Sequence, residues 1–213
     1  MPMKTRLITL SLALYAALSS PAALTAQEAQ VISTDPEVVV STSFCSGWET
    51  LGAVNDGIAS TSSLAKPSAG AYGNWSTPNT YNWVMYEFPR DVVLTEASVY
   101  WWTDQQPTSA PNTHGIQLPT EAYIEYYDDA TGSFVKAGDI DTLADRFNTL
   151  PLPNVLSDHI RIVMYHPIQS TGIIEFQVKG YYTVPTPFAS YSSSVGSGEW
   201  EEGIAHRTVA EGE

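Results

Sequence analysis

The chain has 213 residues, 43% of them hydrophobic and 15% charged, and 9 basic against 23 acidic side chains leave a net charge of −14. A chain this acidic lacks the basic surface that phosphate backbones require, so no nucleic-acid partner is expected, and polyanionic polysaccharides are disfavoured unless a local patch or a metal reverses the field. Cys45 is its single cysteine, so no disulfide framework forms within the chain, and stability must come from a core or a bound metal.

Residues 1–26 read as a secretory signal peptide. Lys4 and Arg6 supply a positive start, residues 7–18 are almost wholly apolar, and small residues lead to Leu24-Thr25-Ala26. That apolar run is shorter than the ~20 residues of a membrane span, and no later segment approaches that length. Removing the leader takes Lys4 and Arg6 with it and moves the charge to −16. The expected product is exported, soluble and acidic.

Residues 27–37 form a polar lead-in ending in Asp35-Pro36, and Val38-Val39-Val40 opens the first strand. Cys45, within Ser43-Phe44-Cys45-Ser46, has the setting of a small buried group at a strand end. Asn55-Asp56-Gly57 and Ser60-Thr61-Ser62-Ser63 make a long loop, and residues 64–80 hold further turn chemistry. Strands are predicted at 83–88, 92–102, 122–127, 134–136, 160–165 and 173–178. Pro89-Arg90-Asp91, Pro151-Leu152-Pro153-Asn154 and Pro167 divide them as turn signals, and Asp128-Asp129-Ala130-Thr131-Gly132 predicts a hairpin. Beyond Tyr182 the composition shifts. Residues 183–213 carry a Pro-stiffened start, a Ser/Gly-rich run and an acidic end containing Trp200, and read as a tail or linker.

The strands alternate. Val84, Tyr86 and Phe88 share one face, as do Ala97, Val99 and Trp101, then Ala122, Ile124 and Tyr126, then Ile160, Ile162 and Met164, then Ile174, Phe176 and Val178. One apolar face per strand means two sheets packed front to front, so the fold class is all-β, an antiparallel β-sandwich. Residues 38–182 make that domain.

Five of the six tryptophans, Trp48, Trp75, Trp83, Trp101 and Trp102, lie among Gly, Asn, Asp, Ser and Thr. Flat aromatic faces beside short polar groups suit a polar ring such as a sugar. Alternation sends Trp101 into the core, and Trp83 is likewise better explained by folding. Trp102 goes to the opposite, exposed face, with Asp104 continuing its side into an open stretch that contains His114. Trp75 stands in a second turn-rich loop. Asp56, between Asn55 and Gly57, suits either an ordinary Asx turn or a calcium site. In the calcium case, Glu175, pointing away from Ile174 and Phe176, is an apt second carboxylate. The usual nucleophile-elbow, zinc-protease and phosphate-loop motifs are missing, and no spacing links Asp104 and Glu121 as a glycosidase pair.

The ordered blocks Ser46-Gly47-Trp48-Glu49-Thr50-Leu51-Gly52-Ala53-Val54-Asn55-Asp56-Gly57, Ala71-Tyr72-Gly73-Asn74-Trp75, Trp83-Val84-Met85-Tyr86-Glu87-Phe88, Val99-Tyr100-Trp101-Trp102-Thr103-Asp104 and Gly172-Ile173-Ile174-Glu175-Phe176-Gln177-Val178 resemble galactose-binding-like (discoidin-like) β-sandwich domains. Such domains are attached to bacterial polysaccharide-degrading enzymes. The resemblance implies a jelly roll of about eight main strands, and a structural calcium held by Asp56 and Glu175 with oxygens around Ala53 and Thr61. It also implies a sugar site drawn from Trp48, Trp75, Trp102, Asp104 and His114. Gln105 to Thr113 departs from the family pattern as a longer, Pro/Ser/Asn-rich insertion. The implied function is a secreted, periplasmic or cell-surface bacterial module that binds a glycan or polysaccharide without cleaving it, beside a carbohydrate-active enzyme. Two alternatives stand: a structural or adhesive sandwich that self-associates or contacts proteins, and a glycan-active hydrolase.

Overall fold

The computed structural model describes residues 27–105 and 115–183. Among these are nine strands: β1 (Gln30–Val31), β2 (Val39–Thr42), β3 (Tyr72–Gly73), β4 (Asn82–Trp102), β5 (Ile116–Gln117), β6 (Glu121–Asp128), β7 (Ser133–Asp139), β8 (Phe147–Tyr165) and β9 (Ser170–Tyr182). A single 3-10 turn, Leu51–Asn55, lies between β2 and β3. The main ladder runs β1-β9-β4-β8-β6-β7, with β2 added to β4 and with β3 and β5 added to β9. Every pairing is antiparallel except β5 with β9. The protein is an all-β sandwich of the kind the alternation predicts. The predicted signal peptide, His114, most of the 105–113 insertion and residues 184–213 lie outside the described residues.

The inward faces meet in one core that joins Val84, Tyr86, Val99, Trp101, Ile162 and Phe176. Tyr86 and Phe176 stack with ring centroids 4.8 Å apart, and the Tyr86 hydroxyl lies between the carbonyls of Val54 and Phe176. The lead-in is part of this construction. Ile32 is buried in the core, its N–H donates to Val178 O, and the Val178 N–H donates to Ser33 Oγ. The hairpin at 128–132 forms as predicted, with the Thr131 and Gly132 N–H groups donating to Asp128 O and Gly132 at φ 65°.

Two of the predicted turns are not turns. Pro89-Arg90-Asp91 lies inside β4, and Pro151-Leu152-Pro153-Asn154 lies inside β8. Opposite partners step from Glu87–His159 to Val92–Ser157, then from Leu94–Val155 to Glu96–Pro151. The first irregularity puts surplus residues on β4 and the second puts them on β8, so they nearly offset and both strands continue. Prolines, which cannot donate to a ladder, sit where the ladder is interrupted. Asn154 takes φ 53°, a left-handed conformation that Asn tolerates.

The second step also swaps parity. Before it, Val84, Tyr86, Phe88, Val92 and Leu94 face the core; after it, Ala97, Val99 and Trp101 do. Thr95 is the residue that changes the phase, and it is held by a hydrogen bond from its hydroxyl to Lys179 O. Trp101 is fully buried, and its indole N–H donates to Asp141 O at 2.9 Å. Trp83 corrects the sequence reading: it lies half-buried on the face opposite Val84, with the Arg161 guanidinium 5.9 Å from its ring centre. Cys45 is half-buried against the core, and burial pushes its thiol above the ordinary range, away from the reactive thiolate.

Candidate functional site

Segment 46–50 is sewn to the strand beside it. Ser46 N–H donates to Gly73 O, Thr50 N–H to Ala71 O, and Trp48 N–H to Ser46 Oγ. This fixes the backbone and leaves the Trp48 side chain outside, 79% exposed. Asn74 anchors the next loop. Its N–H donates to Thr171 O at 3.1 Å, its amide nitrogen to Thr171 Oγ1 at 2.8 Å, and its amide oxygen accepts Thr171 N–H at 2.7 Å. Trp75 follows directly, 39% exposed. A third wall comes from the end of β4, where Asp104 N–H donates to Ile116 O and Asp104 Oδ1 accepts Ile116 N–H at 2.9 Å.

These three segments meet around a cleft of about 260 Å³ lined by Trp48, Glu49, Trp75, Asp104 and Ile116. That is a little below the ~300–1,000 Å³ of typical small-molecule pockets, so it suits a compact ligand. Three of the five sugar-site residues named from sequence therefore come together. Trp102 is placed differently. It is 6% exposed, packed with Ala71, Tyr100, Ile116 and Ile174 in a second apolar cluster. The outer face of β4 is not open there, because loop 57–70 folds over it: Thr103 N–H donates to Ser63 O, and Lys66 Nζ sits 4.8 Å from the Trp102 ring centre. The indole also needs bare backbone beneath it. A Cβ on Gly73 would lie 3.1 Å from the Trp102 ring and 2.5 Å from Ile116 Cδ1, and one on Gly172 would lie 2.7 Å from the ring. Trp102 is thus support beneath the cleft, not an exposed stacking surface.

Glu49 and Lys66 were not singled out from sequence. Glu49 forms an ion pair with Lys66, and its side chain is only 8% exposed. Strand-like alternation after the exposed Trp48 is the one signal that points Glu49 inward; nothing in the sequence brings Lys66 to it. The cleft therefore presents two carboxylates, Glu49 and Asp104, of which one has a cation at its side. Glu121, the other carboxylate weighed with Asp104, accepts the Tyr81 hydroxyl at 2.8 Å and does not line the cleft.

The second sequence-predicted centre surrounds Glu175. Its carboxyl is fully buried, and neither oxygen has a partner within 3.5 Å in good hydrogen-bonding geometry. Burial pushes its pKa up from 4.5 to about 8, and the negative charge of nearby Asp56 pushes in the same direction, against the pull of the Gly57 N–H and the Gln177 side chain. Asp56 is exposed and forms an Asx turn, Oδ1 accepting Ile58 N–H at 2.8 Å. Ala53 is buried in the 3-10 turn and Thr61 is exposed on the following loop. No group of three or more His, Cys, Asp or Glu capable of holding a metal occurs among the described residues. A hard cation here would take two carboxylates and complete its shell with carbonyl and hydroxyl oxygens, a donor set suited to calcium and unsuited to softer metals. The orphaned Glu175 oxygens fit such an ion, since a buried carboxylate without a partner is costly.

No family model matches the chain, and no curated protein matches it in sequence. Solved structures do match in fold. A family 32 carbohydrate-binding module from C. perfringens NanJ, in complex with galactose, superposes with a TM-score of 0.52 at 13% identity over 71% of this chain and 99% of that one. A structure of the Streptococcus pneumoniae beta-galactosidase BgaA gives 0.52 at 18% identity, covering 66% of this chain and 90% of that one. The Clostridium perfringens module CpGH89CBM32-5, in complex with GalNAc-beta-1,3-galactose, gives 0.51 at 10% identity, covering 70% and 99%. At these identities the superpositions show the fold: the chain shares the β-sandwich of these solved structures.

Proposed function

We propose that this chain is a noncatalytic carbohydrate-binding module that holds a sugar in the cleft between Trp48 and Trp75. The observation that carries the reading is the convergence of two exposed indoles with Asp104 and Glu49 around one small concavity. Indole faces cover the C–H surfaces of a sugar ring, and carboxylate oxygens accept its hydroxyls. The fold neighbours described as binding galactose or GalNAc-beta-1,3-galactose support it by analogy of fold. His114 joins this proposal from the sequence resemblance alone. With a leader at residues 1–26, the module is exported from a bacterium to the periplasm, cell surface or medium, where a carbohydrate-active enzyme is its natural partner. Among the described residues no helix is long and apolar enough to cross a membrane.

We also propose a structural calcium held by Asp56 and Glu175, with backbone or hydroxyl oxygens from the Ala53 and Thr61 segments. Its chemistry is charge neutralisation. It supplies the buried Glu175 with a partner and ties the loop after the 3-10 turn to the last strand.

A glycan array with the full chain, Trp48→Ala and Trp75→Ala tests the sugar reading. Retention of one glycan class by the parent and its loss from both variants supports it. Folded parent that retains no neutral or acidic plant, algal or microbial glycan contradicts it. Concentration-dependent light scattering without glycan binding would favour the adhesive alternative.

A further inference from the structure

Of the two carboxylates at the cleft, Asp104 is held by main chain. Its N–H donates to Ile116 O at 3.2 Å and its Oδ1 accepts Ile116 N–H at 2.9 Å. Glu49 is framed differently. Its N–H donates to Ser46 O at 3.0 Å, and its Cγ lies on the bare backbone of Gly73, where an added Cβ would come within 3.0 Å of it. Beyond Cγ, the carboxylate's one hydrogen-bond and ion-pair partner among the described residues is Lys66, which takes Oε2.

Lys66 is itself placed by two anchors and a ring. Upstream, Ser63 N–H donates to Asp145 Oδ1 at 2.7 Å and Asp145 N–H to Ser63 Oγ at 2.8 Å. Downstream, Gly70 takes φ 108° and lies against Thr50, whose Oγ1 would be 2.7 Å from an added Cβ. Between these anchors the ammonium sits 4.8 Å from the centre of the buried Trp102 ring, a cation–π contact. The Glu49 side chain is only 8% exposed, so breaking this pair costs more than breaking an open surface pair.

One oxygen of each carboxylate is left for a ligand. Lys66 commits Glu49 Oε2 and Ile116 commits Asp104 Oδ1, while Glu49 Oε1 and Asp104 Oδ2 accept from no donor among the described residues. A carboxylate only accepts, so both positions call for a donor.

We infer that Lys66 is a positioning residue that holds Glu49 as the second hydroxyl acceptor, and that the cleft selects a neutral saccharide unit with two free hydroxyl donors. The inference rests on the sugar reading of the cleft and narrows its ligand. Because Lys66 already balances Glu49, a cationic amino sugar gains little from that carboxylate. A uronate or sulfated ring brings further acceptors to a place that asks for donors. Removing or methylating either hydroxyl leaves a carboxylate oxygen unpaired.

The test is calorimetry on the full chain with galactose, glucose and their N-acetylamino forms, and with the singly deoxygenated forms of whichever binds. It is repeated with Lys66→Met, Lys66→Arg and Trp75→Ala. Met keeps an unbranched apolar stem over Trp102 and removes the charge, whereas Arg keeps both charge and donors. The parent should lose about 10- to 100-fold in affinity for two of the deoxygenated forms, the effect of one hydrogen bond to a charged acceptor in each case. Lys66→Met should lose a similar factor for the intact sugar and nothing further for one of those two forms, and Lys66→Arg should bind like the parent. A merely structural role would weaken intact and deoxygenated sugars alike. That outcome, or Lys66→Met binding the intact sugar as the parent does, overturns the role of Lys66. A parent indifferent to every deoxygenation overturns the two-acceptor selection without recourse to a variant. In each case loss of binding in Trp75→Ala leaves the cleft reading standing. A parent that binds none of the sugars overturns both.

Discussion

Glu175 is the residue whose environment demands most from the rest of the molecule, because its buried carboxyl has neither a cation nor a donor in hydrogen-bonding geometry. Its folded pKa of about 8 lies above the ordinary 4.5, so the folded, metal-free state holds a proton that the unfolded chain releases. The stability associated with this group is therefore present below about 4.5 and is lost as pH rises toward about 8. Thermal melts of the chelated protein should fall progressively across that window, and Asp56→Asn should reduce the fall by removing the nearby charge. A flat profile would contradict the burial argument. At the cleft, Trp48→Ala and Trp75→Ala should each weaken glycan binding about 10- to 100-fold, the worth of one lost aromatic contact. Because Trp48 is 79% exposed, its variant should melt within about 1–2 °C of the parent. Trp102→Ala should differ in kind, lowering stability by about 3–5 kcal/mol through a cavity in the second cluster.

At the level of elements, β4 explains both what was readable in the sequence and what was not. Its alternation from Val84 to Phe88 and from Ala97 to Trp101 could be read directly, because a period of two reports a half-buried strand. Pro89 and Pro151 misled because a proline signals an interrupted ladder, and an interruption reads as a turn unless its partner strand is known. Here the surplus residues on β4 and β8 nearly cancel, a relation between segments some 60 positions apart that no local pattern carries. Trp102 was misplaced for a related reason: alternation gave its face correctly, but the cover on that face comes from loop 57–70. The Glu49–Lys66 pair was invisible for the same cause, whereas Trp48, Trp75 and Asp104 could be found because each stands in its own turn-rich block. The parity change at Thr95 yields a sharp prediction. Deleting Thr95 should let strict alternation carry the core face from Leu94 straight to Ala97, Val99 and Trp101 and pair β4 with β9 one to one, so circular dichroism and proteolysis should report a folded protein. An unfolded deletion variant would refute the role assigned to that bulge.

At the scale of the whole molecule, the described residues are held without disulfides, by the main core, by the second cluster around Trp102 and, on the reading proposed here, by a calcium clamp. Free calcium at about 100 times its dissociation constant should stabilise the fold by about 2.7 kcal/mol, which corresponds to roughly 5–10 °C in melting temperature. Chelator should reverse this, and Glu175→Gln should abolish the response. On the sugar reading proposed here, the net charge of −14 and the two carboxylates at the cleft favour an uncharged glycan. Binding of a neutral glycan should accordingly change little with salt, while any uronate-rich polymer should bind weakly and only as added salt screens the repulsion. The most direct test of the central claim is calorimetric titration of the full chain with the glycan class retained on the array, in parallel with Trp75→Ala. The account predicts saturable binding by the parent and about 10- to 100-fold weaker binding by a variant of unchanged fold. Equal affinity in the two proteins would contradict it.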